Sequence, residues 1–344
     1  MPERFRHGLV LGKFYPLHAG HSHLIRTALS QCETVTVELL GASVESIPLE
    51  VRAQWLRDEH PTARVRSAID DLEIDFHSEE VWNAHMRLIE SLFDEPVDAV
   101  FTSDDYGQEL ASRLGATWVQ VDPGRVVTPV SGTAVRADVA GSWHLLGPSV
   151  REWLTPRVVV LGAESTGSTT LAAALAERLE VPWVAEYGRT YSEIRPGGLS
   201  APWTSSEFLH ITEHQIADEQ RAARQTPRPL LICDTDVLAT ALWHERYIGV
   251  VDPELLRRAA AHPPLLYVLT GDEIPFVQDG MRDGEHIRSW MQQRFRDELG
   301  AQPVEWVEVR GTHEQRLEAA VQAIAQQLRT AFDFADPIMP TDRT

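Results

Sequence analysis

Two short apolar segments, each ending in glycine and each followed by a helical segment, constrain the fold most strongly. The first is HGLVLG at 7–12, and apolar residues recur at helical spacing over 21–31. The second is RVVVLG at 157–162, followed by a Gly-rich turn and a predicted helix over 169–179. Because each combination is typical of a buried strand that delivers the chain to a helix start, the sequence predicts two α/β openings.

Alternating segments between and after these openings predict two parallel sheets. Further strands are expected at 34–40, 98–103, 117–121, 230–234 and 265–269, and helices at 49–60, 78–93, a segment ending near 115, and 313–329. Strands that alternate with helices imply parallel sheets covered on both faces. For 344 residues, at about 100–200 per domain, we expect domains at 1–154 and 155–332 and a loose Pro- and Asp-rich tail at 333–344.

Composition excludes several classes of function. The formal net charge of −20 argues against a general grip on DNA or RNA, although one local site can still be positive. No window of 18 apolar residues and no apolar N-terminal region is present, so neither a membrane span nor a signal peptide is expected. Cys32 and Cys233 lie in apolar surroundings, which favours buried thiols and a cytoplasmic location.

The first candidate site is GKFYPLHAGH at 12–21. Glycine lets a backbone approach phosphate oxygens closely, and a helix start adds N–H donors and partial positive charge. His18 and His21, three residues apart, can face the same phosphates, and Lys13 is the only lysine among the 31 Lys and Arg residues. The alternative is that both histidines are ordinary capping or surface residues. The expected site contains Lys13, His18 and His21 as catalytic residues and Gly12, Phe14 and Gly20 around the phosphates.

A second polar turn, VSGTAVR at 130–136, begins another predicted helix. Ser131 and Thr133 supply hydroxyl and N–H groups, and Arg136 supplies a bidentate phosphate donor. The alternative is a simple N-cap. Together the two motifs indicate attack of one phosphate on the α-phosphorus of a nucleoside triphosphate, which needs positioning and charge neutralisation.

The third candidate is GAESTGSTT at 162–170, which has the Gly-x4-Gly frame of a P-loop. Its backbone N–H groups can cradle phosphate, and Thr169 stands at the magnesium-binding position. Ser168 replaces the usual Lys, which should weaken ATP binding unless an Arg from elsewhere substitutes. The alternative is a Gly-rich turn without nucleotide. Phosphate contacts are expected from Gly162, Glu164, Thr166, Gly167, Ser168, Thr169 and Thr170.

Polar residues elsewhere in the second domain support nucleotide chemistry. Asp234 ends an apolar strand and is expected to hold Mg²⁺ with Thr169, while Asp236 is expected to orient or deprotonate a substrate hydroxyl. Substrate and phosphate contacts are expected from Glu186, Tyr187 and Arg189 in EYGR and from Arg282 in QDGMRD, a predicted polar lid.

The first two motifs resemble the HxGH nucleotidyltransferases, and most closely the nicotinamide mononucleotide adenylyltransferases. This resemblance implies that His18 and His21 hold the ATP phosphates and that Arg136 binds the β/γ side. The usual second motif is ISSTxxR, and Gly132 replaces its second Ser. The family often stacks a Trp on nicotinamide, a role that falls on Trp82, which is equally consistent with a core aromatic residue on an amphipathic helix.

The order GAESTGSTT, EYGR, CDTD, QDGMRD after the first domain resembles the bifunctional NadR family over residues 7–330. The resemblance implies an HxGH Rossmann-like sheet followed by a P-loop kinase-like sheet. It also implies two Mg²⁺- and ATP-dependent reactions: phosphorylation of nicotinamide riboside, and adenylyl transfer to nicotinamide mononucleotide giving NAD and pyrophosphate. Some members carry an N-terminal helix-turn-helix repressor module. This chain starts at the first strand, so direct transcriptional repression is not expected.

Two other functions remain open at this point. The Lys-less P-loop domain can be a non-catalytic nucleotide sensor or docking module beside an active adenylyltransferase. Alternatively, the first domain uses another acceptor, such as pantetheine phosphate or a cytidylyl acceptor, and is fused to an unrelated NTPase. The sequence leaves open whether the chain is a homo-oligomer, whether it accepts the nicotinate form, and whether intermediates pass between the sites.

Overall fold

The computed structural model describes residues 4–198, 200–277 and 285–340. By contacts, the chain divides into two compact units, Met1–Val150 with Asp333–Thr344, and Arg151–Phe332. Each unit contains one five-stranded sheet, and every pairing between the named strands is parallel. The expectation of two parallel α/β sheets is therefore confirmed.

The first unit has the strand order β3-β2-β1-β4-β5. Its strands are β1 (Phe5–Gly12), β2 (Cys32–Gly41), β3 (Arg64–Ile69), β4 (Ala99–Thr102) and β5 (Thr117–Gln120). Its helices are α1 (Ala19–Gln31), α2 (Leu49–Glu59), α3 (Glu79–Glu90), α4 (Tyr106–Leu114) and α5 (Gly132–Ala137), with a 3₁₀ turn at Trp143–Leu145. Helix α6 (Pro148–Leu154) contains Val150, the last residue of the first unit before the chain enters the second unit.

Strand β1 sits at the centre of the first sheet because it is apolar and because glycine lets its neighbours approach. Leu9 and Val10 are fully buried, and a Cβ at Gly8 would lie 2.5 Å from the Cys32 sulfur. Helix α1 buries Leu24, Ile25 and Ala28, the face that its sequence spacing predicts. Strands β2 and β4 lie on opposite sides of β1, so the strand order reverses direction at β1. In parallel sheets, the carboxyl ends of the strands at such a switch point form a crevice where ligands bind.

The second unit has the strand order β10-β9-β6-β8-β7. Its strands are β6 (Arg157–Leu161), β7 (Trp183–Val184), β8 (Leu231–Asp234), β9 (Leu266–Thr270) and β10 (Trp306–Val309). Its helices are α7 (Ser168–Leu179), α8 (Tyr187–Ile194), α9 (Ser205–Gln225), α10 (Val237–Ile248), α11 (Pro253–Ala261), α12 (Arg288–Gly300) and α13 (His313–Gln327), with a 3₁₀ turn at Glu285–Ile287.

Strand β6 is buried on both faces, as a central parallel strand should be. Val159 and Leu161 belong to one apolar cluster, and Val158 and Val160 belong to another on the opposite face. This alternation follows from the two-residue period of strand side chains. The carboxyl end of β6 therefore has a fixed position from which the following glycine-rich loop starts.

Some predicted features differ from the structure. The sequence analysis did not identify β3 and β10, because short strands with one exposed or half-buried face carry little apolar signal. The tail expected to be loose is packed against the first unit over residues 333–340, through contacts of its backbone and of Phe334. Cys32 and Cys233 are buried free thiols, as predicted. No helix in the described part of the chain has both the length and the apolar character needed to cross a membrane.

Candidate active sites

The first candidate site is a cavity of about 500 Å³ at the carboxyl end of β1, where α1 begins. Every residue of the first unit that the sequence identified contributes to its lining: Gly12, Lys13, Phe14, His18, Gly20, His21, Trp82, Ser131, Thr133 and Arg136. The volume lies within the range of about 300–1,000 Å³ typical of small-molecule sites. The fold thus brings together two motifs that are separated by more than a hundred residues.

The two histidines form one stacked unit at the start of α1. His18 is the N-cap, and its Nδ1 accepts the backbone N–H of His21 at 3.4 Å. The two rings are 3.7 Å apart and nearly parallel, with an angle of 19°. A Cβ at Gly20 would lie 3.1 Å from the His18 ring, so glycine permits this close packing.

Burial controls the charge of both imidazoles. Burial lowers the pKa of His18 to about 4. Burial, together with the neighbouring His18, lowers the pKa of His21 well below its usual value. Both rings are therefore neutral near pH 7, and the buried Nδ1 of His21 has no hydrogen-bond partner among the described residues. An unpartnered buried nitrogen at a helix start suits a ligand that completes its hydrogen bonding.

Arg136 and Gly132 join the second motif to the first. Arg136 Nη1 donates to the Tyr15 carbonyl at 2.7 Å, and its guanidinium lies 4.9 Å from the centre of the Tyr15 ring. Ser131 caps α5 by accepting the Ala134 N–H at 3.1 Å. A Cβ at Gly132 would lie only 2.8 Å from the Tyr15 carbonyl oxygen. The departure from the expected serine therefore has a physical reason, since glycine gives room for this approach.

Lys13 lines the same cavity, and its ammonium group is close to two other groups of the protein. Its Nζ donates to the Ile338 carbonyl at 2.6 Å and is 3.9 Å from Glu45 Oε1. Burial lowers the pKa of Lys13, while the nearby Glu45 carboxylate raises it. Sequence reasoning missed Arg125, which also lines the cavity and lies near enough to both histidines to lower their pKa values.

Trp82 is a core aromatic residue that also reaches the first cavity, and its stacking on nicotinamide stays a prediction. It is buried on α3 and belongs to the apolar core of the first unit, yet it also lines the cavity. Its indole N–H donates to the Phe76 carbonyl at 3.1 Å, and the two rings are 6.2 Å apart. Ile74, Phe76 and Trp82 together give this end of the cavity an apolar and aromatic wall.

The second candidate site is a cavity of about 400 Å³ at the carboxyl end of β6. Of the residues identified from the sequence, its lining includes Gly162, Glu164, Gly167, Ser168, Thr169, Thr170, Glu186 and Arg189. Arg282 lies outside the described residues. The site therefore contains most of the glycine-rich loop and two of the three EYGR side chains.

The glycine-rich loop has the backbone form of a phosphate cradle. Ser165 and Gly167 have left-handed φ values of 61° and 87°, and α7 starts immediately afterwards. A Cβ at Gly162 would lie 2.4 Å from the Thr270 hydroxyl oxygen. The Thr166 hydroxyl donates to the Ala163 carbonyl and is fully buried, so this side chain supports the loop and does not line the cavity. The phosphate contact expected at Thr166 stays a prediction.

Asp234 and Thr169 are joined by a hydrogen bond and carry oxygens of the kind that magnesium prefers, but Asp234 is buried and is not part of the cavity lining. The pKa of Asp234 is raised to about 6, because the effect of burial outweighs the hydrogen bonds from the Thr169 and Ser168 hydroxyls, which lower it. Its buried Oδ1 has no hydrogen-bond partner in the described part of the chain. Among the described residues no group of three or more His, Cys, Asp or Glu side chains forms a metal cage. Magnesium here would need oxygens from phosphate and water as well, which is its usual mode.

Asp236 does not take the catalytic position that the sequence predicts. It is buried, caps α10 by accepting the N–H groups of Leu238 and Ala239, and accepts the Tyr267 hydroxyl at 2.9 Å. It is also absent from the cavity lining. An aspartate just before a helix is a typical N-cap, so the sequence held a signal for this structural role.

Glu186 is one of two carboxylates that line the second cavity, and the other, Glu164, is held by Arg246. Glu186 follows β7 and lies beside Asp234 and Arg189. Burial raises its pKa, the Asp234 charge raises it further, and Arg189 lowers it. A carboxyl with a raised pKa in a cleft is a candidate proton acceptor.

Tyr187, expected to bind substrate, instead stacks on His214 with the ring centres 4.5 Å apart and does not line the cavity. Its backbone N–H donates to Gln215 at 3.0 Å. Glu164 lines the cavity and accepts a hydrogen bond from Arg246 at 2.6 Å, so an arginine from α10 holds this side of the loop.

Sequence reasoning missed an aromatic group in the second cavity. Trp203 lies 5.1 Å from Phe208 and 5.3 Å from Tyr247, measured between ring centres, and Trp243 also lines the space. The Arg195 guanidinium covers Trp203 at 3.8 Å. These residues come from α9, α10 and the turn before α9, and no short spacing in the sequence links Trp203 and Phe208 to Trp243 and Tyr247. Only the packing of the two helices reveals that they share one site.

Comparisons with known proteins support this two-unit arrangement. The AAA domain family matches residues 157–316. A curated relative, the trifunctional NAD biosynthesis/regulator protein NadR of Escherichia coli K12, is 26% identical over 293 residues, which are 80% of this chain and 71% of the relative. The NadR of Salmonella typhimurium LT2 is 25% identical over 295 residues, with the same coverage of 80% and 71%.

Two solved NadR structures share the fold. A NadR protein in complex with NR matches with a TM-score of 0.72 and 20% identity, covering 94% of this chain and 96% of that one. A NadR protein in complex with NAD and AMP-PNP matches with a TM-score of 0.66 and 20% identity, covering 99% and 98%. Because both matches span nearly the whole chain, the expected order of the two domains in the fold is confirmed.

Proposed function

We propose that this chain, which is similar to NadR proteins over 80% of its length, is a bifunctional enzyme of NAD biosynthesis. The first unit would transfer the adenylyl group of ATP to nicotinamide mononucleotide, giving NAD and pyrophosphate. The second unit would phosphorylate nicotinamide riboside with ATP. The observation that carries the proposal is the convergence of His18, His21 and Arg136 on one cavity at the start of α1.

In the adenylyl transfer, a phosphate oxygen of the mononucleotide attacks the α-phosphorus of ATP and pyrophosphate leaves. The helix start and the two neutral imidazoles would offer N–H donors to the triphosphate, and Arg125 and Arg136 would offset its charge. Lys13 would bind the phosphate of the mononucleotide. No covalent intermediate on the protein is required, because positioning and charge neutralisation supply the catalysis. The apolar wall at Ile74, Phe76 and Trp82 suits the nicotinamide ring.

In the phosphoryl transfer, a riboside hydroxyl attacks the γ-phosphorus of ATP and ADP leaves. We assign Glu186, in place of Asp236, as the acceptor of the hydroxyl proton, because Glu186 lines the cavity and Asp236 does not. Trp203 and Tyr247 would enclose the nicotinamide ring. Mg²⁺ held by Thr169 and Asp234 would neutralise charge on the phosphates.

One observation favours a second candidate for the second unit. Ser168 occupies the P-loop position where lysine normally contacts the β- and γ-phosphates. A domain that binds nucleotide without turnover would act as a sensor or docking module. Arg189, a cation in the same cavity lining, favours the kinase because it can supply charge that Ser168 lacks.

A cytoplasmic location is part of the proposal. Two buried free thiols and no disulfide among the described residues fit a reducing compartment. The net charge of −20 fits small nucleotides as partners better than nucleic acid.

The test is to assay the purified chain with ATP, Mg²⁺ and either nicotinamide mononucleotide or nicotinamide riboside. Product from both substrates supports the bifunctional enzyme, and product from the mononucleotide alone supports the sensor. Failure with both substrates would remove the proposed function. His21→Ala should abolish NAD formation while the riboside reaction and the fold are retained, and His144→Ala, at an exposed histidine, is the matched control.

A further inference from the structure

Residues 334–340, which we call the C-terminal strap, pack against parts of the first unit that are far from them in sequence. The Ala335 N–H donates to the Ser46 hydroxyl at 2.6 Å, and the Tyr15 hydroxyl donates to the Ala335 carbonyl at 3.0 Å. The Phe334 ring meets the Tyr15 ring edge to face, with the ring centres 6.2 Å apart. Pro340 forms an isolated bridge with Ile74. The strap is therefore attached at both of its ends.

Both attachment points are parts of the first cavity. Tyr15 belongs to the GKFYPLHAGH motif, and Ile74 precedes the Phe76 and Trp82 pair. Four successive strap residues contribute directly to the lining: Pro337, Ile338, Met339 and Pro340. The cavity still measures about 500 Å³ with the strap in place, so the strap forms a wall and does not fill the space.

The strap also holds Lys13. The Ile338 carbonyl is 2.6 Å from the ammonium, whereas the nearest carboxylate, Glu45, is 3.9 Å away and already binds Arg52 through its other oxygen at 2.6 Å. A carbonyl occupies one of the three N–H donors of lysine and leaves the positive charge intact. Lys13 can therefore be fixed by the strap and still offer two donors to a phosphate.

We propose that the C-terminal strap is a functional part of the adenylyl-transfer cavity. The strap positions Lys13 and retains the acceptor mononucleotide at the Ile74 end of the cavity. This rests on the adenylyl transfer proposed above. The strap acts on the acceptor because it contacts the apolar wall at Ile74, away from the imidazole pair that faces the triphosphate in the proposed reaction. Its removal should weaken acceptor binding more than ATP binding.

The experiment deletes residues 334–344 from the full chain. Loss of one charge-assisted contact and one cavity wall should raise the KM for nicotinamide mononucleotide about tenfold or more. The KM for ATP in the same reaction should change less than about twofold, which is within the effect of a neutral surface change. Riboside phosphorylation by the second unit is the internal control and should be unchanged.

A double-variant cycle tests whether the strap acts through Lys13. Lys13→Met should raise the acceptor KM by itself, and the deletion should then add clearly less than it does in the wild type. Full additivity would overturn the positioning of Lys13 by the strap. A second variant, Ser46→Ala, removes only the anchor of the Ala335 N–H and should raise the acceptor KM a few-fold, with exposed Ser112→Ala as its control.

The outcomes separate the two proposals. If the full chain makes no NAD from the mononucleotide, the proposed function itself fails. If the full chain makes NAD but the deletion leaves the acceptor KM unchanged, only the strap proposal fails. A faster reaction or a lower acceptor KM after deletion would also overturn it, because that result identifies an inhibitory segment. The Ser46→Ala result decides the matter if the deletion prevents folding.

Discussion

At the scale of single residues, the charge of the stacked histidines links phosphate binding to proton uptake. Burial lowers the pKa of His18 to about 4, so the ring is neutral in the free protein at pH 6. A triphosphate beside the ring favours the charged form and raises this pKa. ATP binding at pH 6 should therefore take up protons at this site, an effect that fades as the pH rises well above the usual histidine value.

Titration calorimetry in two buffers of different ionisation enthalpy measures this uptake. ATP itself changes protonation on binding, so the informative quantity is the difference between the wild type and His18→Asn. We expect greater uptake by the wild type at pH 6. Equal uptake by the two proteins would show that the histidine stays neutral in the complex.

The lowered pKa of His18 also makes the stability of the first unit depend on pH. The folded pKa of His18 lies below the unfolded value of 6.5, so the unfolded chain binds more protons between pH 6.5 and about 4. The contribution of this residue to stability is present above that window and is lost as the pH falls through it.

Ser168 is the residue on which the kinase assignment depends most. A lysine at this position would place a point charge at the β- and γ-phosphates, beside Asp234. Ser168→Lys should lower the KM for ATP in riboside phosphorylation about tenfold, or about 1.4 kcal/mol. Gln326→Lys, which adds the same charge at an exposed position of α13, is the control. An unchanged or higher KM would mean that another cation, with Arg189 as the first candidate, already serves these phosphates.

Single residues also show what the sequence could and could not predict. His18 and Arg136 belong to a recognisable pair of motifs, and both line the cavity because the helices that follow β1 and β5 begin at the same edge of the sheet. Asp236 was assigned by its place after a strand, but its place before α10 decides its role as a cap. Trp203 and Tyr247 could not be predicted, since their meeting depends on long-range packing of helices.

At the scale of elements, helix α13 fixes the shape of the glycine-rich loop. Arg316 is 4% exposed, and it donates to the carbonyls of Thr166, Gly271 and Gly311 at 2.8, 3.2 and 3.0 Å. It also pairs with Glu273 at 2.6 Å. One side chain thus ties the loop to the ends of β9 and β10.

Arg316→Met should leave these carbonyls without their donor and the Glu273 carboxylate without this partner. We expect the second unit to lose about 3 kcal/mol of unfolding free energy, because buried carbonyls lose their donor, while the pair with Glu273, whose side chain is 33% exposed, adds little. ATP binding by this unit should also weaken because the loop is less fixed. Denaturant unfolding with Arg329→Met, an exposed arginine just after the same helix, is the comparison. A loss below about 1 kcal/mol, the usual value for a surface pair, would contradict this role.

The strap shows the limit of composition as a guide to elements. Proline and aspartate are frequent in loose tails, and this composition led to the expectation that 333–344 is loose. The observed contacts are made largely by the backbone, through the N–H and carbonyl of Ala335 and the carbonyl of Ile338. Every residue has a backbone carbonyl, and every residue except proline has a backbone N–H, so composition says little about which of these groups form contacts.

At the scale of the whole molecule, chain connectivity and folding units differ. The first unit is assembled from 1–150 and 333–344, and the second is contained within 151–332. A fragment cut after residue 150 would keep the HxGH cavity but lack the strap and the donor that Lys13 meets. The strap proposal therefore has to be tested in the full chain, where the second unit also provides its own assay.

Because each unit has its own sheet and apolar core, we expect two thermal unfolding transitions in the full chain. A ligand at 100 times its Kd adds about 2.7 kcal/mol to the unit that binds it, which raises its transition by about 5–11 °C for units of roughly this size. NAD should raise one transition and nicotinamide riboside the other. Arg316→Met identifies the transition of the second unit by lowering it, and Trp203→Ala should remove only the shift caused by riboside. Scanning calorimetry would contradict this division if either ligand raised both transitions equally.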